Sequence, residues 1–170
     1  MTIMPPQVFL EVMIGDKKLV QRIVIDLFNS TVPKTAENFR CLCIGEKGKK
    51  YKGSYFHRVI KGKFAQGGDF TLGNGQGGDS IYGGNFNDEN FTHKHDAMGI
   101  VSMANQGKNS NKSQFIISMN PLPWLNGKHV VFGRVIDGLN VLMAIDSVGN
   151  TNGIPFKPIL IANCGQMKKM

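Results

Sequence analysis

An arginine interrupts an otherwise apolar run, FHRVI, at residues 56–60. The two-residue period of a strand places Arg58 on the face opposite His57 and Val59. A guanidinium within an apolar strand needs either a ligand or an ion-pair partner, because burial of an unpaired charge is costly. The sequence leaves both alternatives open, a binding site and a structural ion pair.

A glycine-rich segment follows at residues 67–90. Gly73, Gly75 and Gly78 have the G-x-G-x-x-G spacing of dinucleotide-binding loops. Such a loop must open a helix, but the chain continues as GGDSIYGG over 77–84, which is a poor helix start. These glycines therefore favour the wall of a binding groove, where the backbone lies close to a ligand.

Metal and nucleophile chemistry have weaker support. His93 and His95 would share one side of an extended segment, and Asp96 is the nearest third ligand, but loop histidines are far more often plain surface residues. His57 and His129 are not accompanied by a serine or cysteine in a G-x-S-x-G setting. We expect no metal and no cofactor.

Length and composition are those of one globular domain. The chain has 170 residues, a length that favours a single domain over 1–170 with its core at about 7–166. Its formal net charge is +8. A cluster of lysines at 47, 49, 50 and 52 reads as a solvated loop that could contact an acidic partner. The charge alone is weak support for nucleic-acid binding. We expect a monomer.

Cysteine use and the terminal segment predict a cytoplasmic location. Three cysteines are too few for a disulfide framework. Cys41 and Cys43 would be about 200° apart on a helix and could not chelate one metal together. The first residues, MTIMPPQVFLEV, do not have the pattern of a signal peptide, and no apolar run approaches the ~20 residues that span a bilayer.

Apolar alternation and turn residues define the predicted elements. Strands are predicted at 8–14, 18–27, 56–60, 64–66, 100–104, 115–119, 130–135 and 158–164. Gly15-Asp16 suggests a two-residue hairpin between the first two strands. Because strands outnumber helices and do not alternate with them, a parallel doubly wound sheet is not expected. A closed antiparallel barrel would remove exposed strand edges.

Two helices complete the prediction. The first starts at Pro33 behind a Ser30 or Thr31 cap and ends at Gly45. Its apolar face consists of Val32, Ala36, Phe39 and Cys43. The second covers 138–148, and its predicted inward residues are Leu139, Leu142, Met143 and Ile145.

Nearly the whole chain, about 8–166, resembles the cyclophilin family of peptidyl-prolyl cis/trans isomerases. The matching motifs are VPKTAENFR at 32–40, GEKG at 45–48, YKGS at 51–54, FHR at 56–58, QGGDF at 66–70, DENF at 88–91, SMAN at 102–105, SQF at 113–115 and GKHVVFG at 127–133. The resemblance implies an all-β fold, a closed eight-stranded antiparallel barrel capped by two α-helices, with a proline groove on its outer surface.

The resemblance also implies the site and its ligands. Arg58 matches the catalytic arginine of the family. The positions that match its groove are Gln66, Gly75, Ala104, Asn105, Gln114, Trp124, Leu125 and His129. The implied partners are proline-containing peptides and proteins, and cyclosporin is an implied inhibitor.

Four groove positions depart from the family pattern. Lys63 and Phe64 stand where the family usually has Phe then Met, Ile116 stands where it usually has Phe, and Gln106 replaces a small residue at the entrance to a second pocket. The lysine stem could still cover a proline ring while its ammonium reaches water. Two hypotheses follow: an isomerase with reduced activity, or a proline-peptide binding or scaffold protein with little turnover.

Overall fold

A computed structural model describes residues 4–168, which form one curled sheet and two helices. The strands are β1 (Gln7–Ile14), β2 (Gln21–Leu27), β3 (Arg58–Ile60), β4 (Phe64–Gly67), β5 (Ile100–Met103), β6 (Phe115–Ser118), β7 (Val131–Asp137) and β8 (Ile159–Gln166). Helix α1 covers Pro33–Ile44, and α2 covers Leu139–Ser147. The predicted mainly-β class, with eight strands and two helices, is confirmed.

All strand pairs are antiparallel, in the order β3-β4-β6-β5-β7-β2-β1-β8. The predicted closure of the barrel is wrong, because β3 and β8 are the two edges of a curled half-barrel. One isolated bridge, between Tyr55 and Leu160, joins these edges. Residues 53–56 bond to β8 before β3 begins, so the contact between the edges never becomes a continuous ladder.

The concave face of the sheet forms the core. Val59, Ala65, Ile117 and Val101 are neighbours across four strands, and each is fully buried. Phe39 of α1 packs into the same core, with its ring centroid 4.9 Å from that of Phe132. Alternation therefore directs the residues between these core positions to the outer face.

The connection between β1 and β2 is longer than the predicted two-residue hairpin. The last pair is Val12 with Gln21, so β2 begins three residues later than expected. Residues 13–14 pair with β8 alone, and the Gly15 N–H continues that pairing with the Pro158 carbonyl at 2.8 Å. The β2 ladder thus ends at Val12, while β1 continues to pair with β8 on its other edge.

The start of α1 is stabilised from a distant part of the chain. Its N-cap is Val32, which makes no side-chain cap, so the predicted Ser30 or Thr31 cap is wrong. The Glu89 carboxylate instead accepts the N–H groups of Lys34 at 3.0 Å and Thr35 at 2.7 Å. A negative charge at this end also complements the helix dipole. The predicted ending is confirmed, because Gly45 adopts a left-handed conformation.

Helix α2 buries a different face from the predicted one. Leu142 and Ile145 are buried as expected, but the third buried residue is Val141. Leu139 and Met143 are exposed, so their assignment to the core is wrong. The two lie four residues apart and share a stripe about 130° from the buried one. No helix in the described part of the chain is long and apolar enough to cross a membrane.

Candidate active site

Strand register brings the candidate residues into one row on the outer face of the sheet. Arg58 of β3 pairs with Gln66 of β4, Gln66 pairs with Ile116 of β6, and Ile116 pairs with Ser102 of β5. Side chains directly opposite each other on one face are about 4.5–5.5 Å apart at Cβ. We call Arg58, Gln66, Ile116 and Ser102 the groove row.

Arg58 lies at the exposed end of the groove row. Its guanidinium lies above the Phe64 ring, 5.4 Å from the centroid, and its stem runs past Gly153. Within residues 4–168 no carboxylate forms an ion pair with it. The ion-pair alternative therefore finds no support here, and the charge is solvated and open to a ligand.

The altered positions flank this end of the groove. Lys63 is exposed in the turn before β4, where its N–H donates to the Ile60 carbonyl and its carbonyl accepts the Met119 N–H at 2.7 Å. Phe64 is half-buried beneath the guanidinium. Ile116 is only 4% exposed, so it offers a ligand little surface. The Phe64 ring thus stands beside Arg58, and the exposed Lys63 precedes it in the turn.

The glycine-rich loop wraps around a carboxylate of the protein itself. Asp69 is 1% exposed and accepts backbone N–H groups from Leu72, Gly75 and Gly77 at 2.9–3.0 Å. Burial raises the pKa of this carboxyl, but the backbone donors outweigh it and hold the pKa well below its ordinary value. Because Asp69 occupies the donors that a phosphate would need, the loop does not act as a dinucleotide cradle.

Gln114 joins this loop to the groove row. Its Nε2 donates to the carbonyls of Gly75 and Gly77, and its Oε1 accepts from Gln66 Nε2 at 2.9 Å. Gly75 has φ +88°, and a Cβ there would come within 2.7 Å of the His57 ring. A side chain at Gly75 would displace the loop, so this glycine sets the position of the groove wall.

The opposite wall comes from β5 and the segment before β7. The Asn105 side chain donates to the Lys128 carbonyl and accepts the Gly107 N–H, which fixes its orientation. His129 Nδ1 donates to the Met103 carbonyl at 2.8 Å. Trp124 is 55% exposed on a 3-10 turn, and Leu125 beside it is half-buried.

Sequence reasoning missed the role of His95. This ring is 1% exposed, with Nδ1 3.0 Å from the Asn126 side-chain oxygen and Nε2 2.9 Å from the Ser102 hydroxyl. Burial lowers the pKa of His95, which favours the neutral ring. It therefore links the groove row to the segment that carries Trp124. His93 instead stacks on Phe28, so the two histidine rings have separate surroundings.

The other reactive side chains are engaged elsewhere. Cys41 and Cys43 are buried free thiols, and burial raises the pKa of Cys41 to about 11. Both are therefore protonated at neutral pH. In the lysine cluster, Lys49 forms an ion pair with Asp79 at 2.7 Å.

A cavity of about 300 Å³ adjoins the groove row. Six predicted site residues line it, namely Gln66, Gly75, Ala104, Asn105, Gln106 and Gln114. Five further lining residues were not predicted: Gln76, Gly77, Asn85, Ser110 and Lys112. The remaining predicted site residues are not among those that line this cavity; they are Arg58, Lys63, Phe64, Ile116, Trp124, Leu125 and His129. A polar loop residue has no periodic signal, so only the folded chain identifies it as part of a wall.

The arrangement combines an exposed guanidinium, a neighbouring aromatic ring and an adjoining cavity in one elongated surface. A family model for cyclophilin type peptidyl-prolyl cis-trans isomerases matches residues 9–166 of the 170-residue chain. That match covers every strand from β2 to β8, both helices and all the candidate site residues. It supports peptidyl-prolyl isomerase activity in general terms. The chain therefore belongs to the cyclophilin-type peptidyl-prolyl cis-trans isomerase family.

Proposed function

We propose that the protein accelerates cis–trans rotation about X-Pro bonds in peptides and proteins and thereby assists folding. The observation that carries this proposal is the state of Arg58. Its guanidinium is exposed, has no ion pair within residues 4–168, and lies beside an aromatic ring. Such a group is free to donate hydrogen bonds to a bound proline peptide.

The chemistry requires no bond cleavage. Amide resonance opposes rotation with a barrier of ~18–20 kcal/mol. A hydrogen bond from Arg58 to the prolyl nitrogen would withdraw its lone pair from resonance as the nitrogen becomes pyramidal. This interaction is stronger in the transition state than in the ground state, which is the requirement for catalysis. A 10⁵-fold acceleration corresponds to about 7 kcal/mol of such differential stabilisation.

The surrounding residues would hold one side of the peptide while the other side turns. Phe64 would supply most of the apolar contact for the proline ring, with Ile116 beneath it offering little surface, and Gln66 lies directly across from Arg58. Gln66 is held by Gln114, so it is positioned to steer the guanidinium. Asn105, Trp124, Leu125 and His129 would bound the rest of the groove.

Arg58→Ala tests the proposal directly in an NMR exchange or protease-coupled assay on an X-Pro peptide. We expect kcat/KM to fall about tenfold to a hundredfold, the equivalent of one hydrogen bond from a charged donor. The melting temperature should change little, because Arg58 is exposed. Arg134→Ala, which removes an exposed strand arginine outside the groove row, is the control. Wild-type kcat/KM in Arg58→Ala would contradict the role of Arg58.

A second candidate function is proline-peptide binding with little turnover. The observation that favours it is the exposed Lys63, which replaces an aromatic wall with a charge. Both functions predict peptide binding, so binding alone does not separate them. Turnover of an X-Pro peptide by the wild-type protein favours the enzyme, and binding without turnover favours the scaffold.

We further propose that the protein binds cyclosporin, acts as a monomer and works in the cytoplasm. Exposed Trp124 provides an indole N–H for the ligand. The free thiols of Cys41, Cys43 and Cys164 are compatible with a reducing compartment.

A further inference from the structure

Lys112 supplies the only charged side chain among the residues that line the 300 Å³ cavity beside the groove row. We propose that this cavity selects an acidic side chain of the bound peptide, within three residues of the proline that is isomerised, and that the Lys112 ammonium pairs with it. This inference rests on the proposed function. It adds a substrate preference to the isomerase and assigns that preference to one residue.

The backbone around Lys112 is firmly held. Its carbonyl accepts the Asn38 side-chain amide at 2.8 Å. Its two neighbours, Asn111 and Ser113, are fully buried, and the Ser113 hydroxyl donates to the Gly68 carbonyl at 2.7 Å. The lysine therefore projects from a fixed point of the cavity wall rather than from a loose loop tip.

The Lys112 charge is not neutralised within residues 4–168. None of the ion pairs there includes Lys112. Of the acidic groups in neighbouring segments, Asp79 pairs with Lys49, and Asp88 accepts the Asn109 N–H and the Asn111 amide but forms no ion pair with Lys112. A half-exposed cation beside neutral walls attracts a carboxylate.

The remainder of the wall is suited to a carboxylate rather than to an apolar group. Among residues 4–168, no acidic side chain lines the cavity, and Ala104 is the only lining residue with an apolar side chain. Within the described residues, the side-chain amides of Gln76 and Asn85 form no internal hydrogen bond, so their N–H groups are available. A carboxylate could accept from Lys112 and an amide together, and bonds to a charged acceptor are the stronger kind.

The cavity is within reach of a peptide bound at Arg58. Gln66 lines the cavity and is also the cross-strand neighbour of Arg58. An extended peptide advances about 3.3 Å per residue. A side chain no more than three residues from the proline can therefore enter the cavity while the prolyl bond remains at Arg58.

A peptide scan with matched variants tests the proposal. One series of X-Pro peptides carries Glu, Gln or Lys at each of three positions before and after the proline, and kcat/KM is measured by NMR exchange. At low salt, Glu at the best position should exceed Gln by about two- to fivefold, the range of a partly exposed ion pair. This ratio should shrink in high salt.

The variants identify the residue responsible. Lys112→Gln should bring the Glu-to-Gln ratio to one, and Lys112→Glu should reverse the preference toward Lys peptides. Lys108→Gln, which removes an exposed lysine of the same segment, should keep the wild-type ratio. Equal rates for Glu and Gln peptides in the wild type, or a preference that survives Lys112→Gln, would overturn the proposal.

Failure of the proposed isomerase function would give a different result from failure of the cavity preference. If the wild type turned over none of the peptides, neutral ones included, the isomerase proposal would be wrong. Binding of the same peptides is then measured by titration calorimetry. Tighter binding of the Glu peptide by the wild type, lost in Lys112→Gln, supports the cavity preference, and equal binding overturns it.

Discussion

Lys63 is the single residue that most distinguishes this groove from an aromatic one. It lies in the turn that leads into β4, next to the half-buried Phe64. We predict that Lys63→Phe raises kcat/KM for an X-Pro peptide by about three- to thirtyfold, because an aromatic wall returns about 1–2 kcal/mol of contact with the proline ring. An NMR exchange assay with purified variants measures the effect.

Lys61→Phe provides a matched control for Lys63→Phe. Lys61 is an exposed lysine two residues earlier in the chain, so its substitution adds the same aromatic side chain away from the groove row. It should leave kcat/KM unchanged. If Lys63→Phe gave no gain or a loss, Lys63 would not face the proline ring, and the case for a weakened enzyme would lose its main support.

The two cationic residues, Arg58 and Lys112, differ in how well the sequence alone predicts their place in the site. Arg58 is conspicuous because it breaks an apolar alternation, and strand register then places Gln66 and Ile116 beside it. Lys112 lies among polar residues of an irregular segment, where no periodicity distinguishes it. Its place in the cavity depends on Asn38 of α1, 74 residues away in sequence.

Among the elements, the loop at residues 69–78 depends on one buried carboxylate. Asp69 orders the backbone of Leu72, Gly75 and Gly77, and the carbonyls of the two glycines hold Gln114. We predict that Asp69→Asn lowers the free energy of unfolding by about 2–4 kcal/mol, since an amide leaves buried N–H donors unsatisfied. Denaturant unfolding measures this loss, and kcat/KM should fall with it.

The pH dependence of this loop follows from the lowered pKa of Asp69. The ordinary pKa is 3.8 and the folded pKa lies well below it. The carboxylate therefore contributes stability that is fully present above about pH 4 and is lost as the pH falls toward the folded pKa. Asp69→Asn should lack this part of the acid sensitivity. Asp16→Asn, at an exposed carboxylate that forms no ion pair within residues 4–168, is the control and should be nearly neutral.

Element positions were easier to predict than element ends. The apolar period places every strand and both helices close to their observed positions, because that period reflects burial. Local signals failed at two element ends: Glu89 replaces the expected cap of α1, and the β1–β2 ladder ends at Val12, where β1 continues to pair with β8 on its other edge. Contacts with distant segments are not visible in a local window of sequence.

The whole molecule is a half-barrel rather than the closed barrel expected. Alternation identifies which residues line the core, but it does not determine whether the two sheet edges meet in a ladder. Here the seam is a single bridge between Tyr55 and Leu160, residues 105 positions apart in sequence. The groove row lies on β3, β4, β6 and β5, next to one edge of the sheet.

A ligand that covers the groove from Arg58 to Trp124 probes the whole active face at once. We predict that cyclosporin binds, but less tightly than is usual in the family, because Lys63 and Ile116 would offer less aromatic area than the usual residues and Gln106 would narrow the entrance to the second pocket. Each lost contact of about 1.4 kcal/mol weakens Kd tenfold. Titration calorimetry on the wild type measures this affinity.

The combined substitution Lys63→Phe with Ile116→Phe is the matched test of that explanation. It restores both aromatic positions and leaves Arg58 and Trp124 unchanged, so Kd should improve by about tenfold or more if the lost aromatic area is the cause. Because Ile116 is 4% exposed, unfolding of the variant is measured alongside to separate packing strain from binding. Undetectable binding by the wild type at tens of micromolar would mean that the altered groove is closed to this ligand, and would move the function toward a non-catalytic peptide-binding protein.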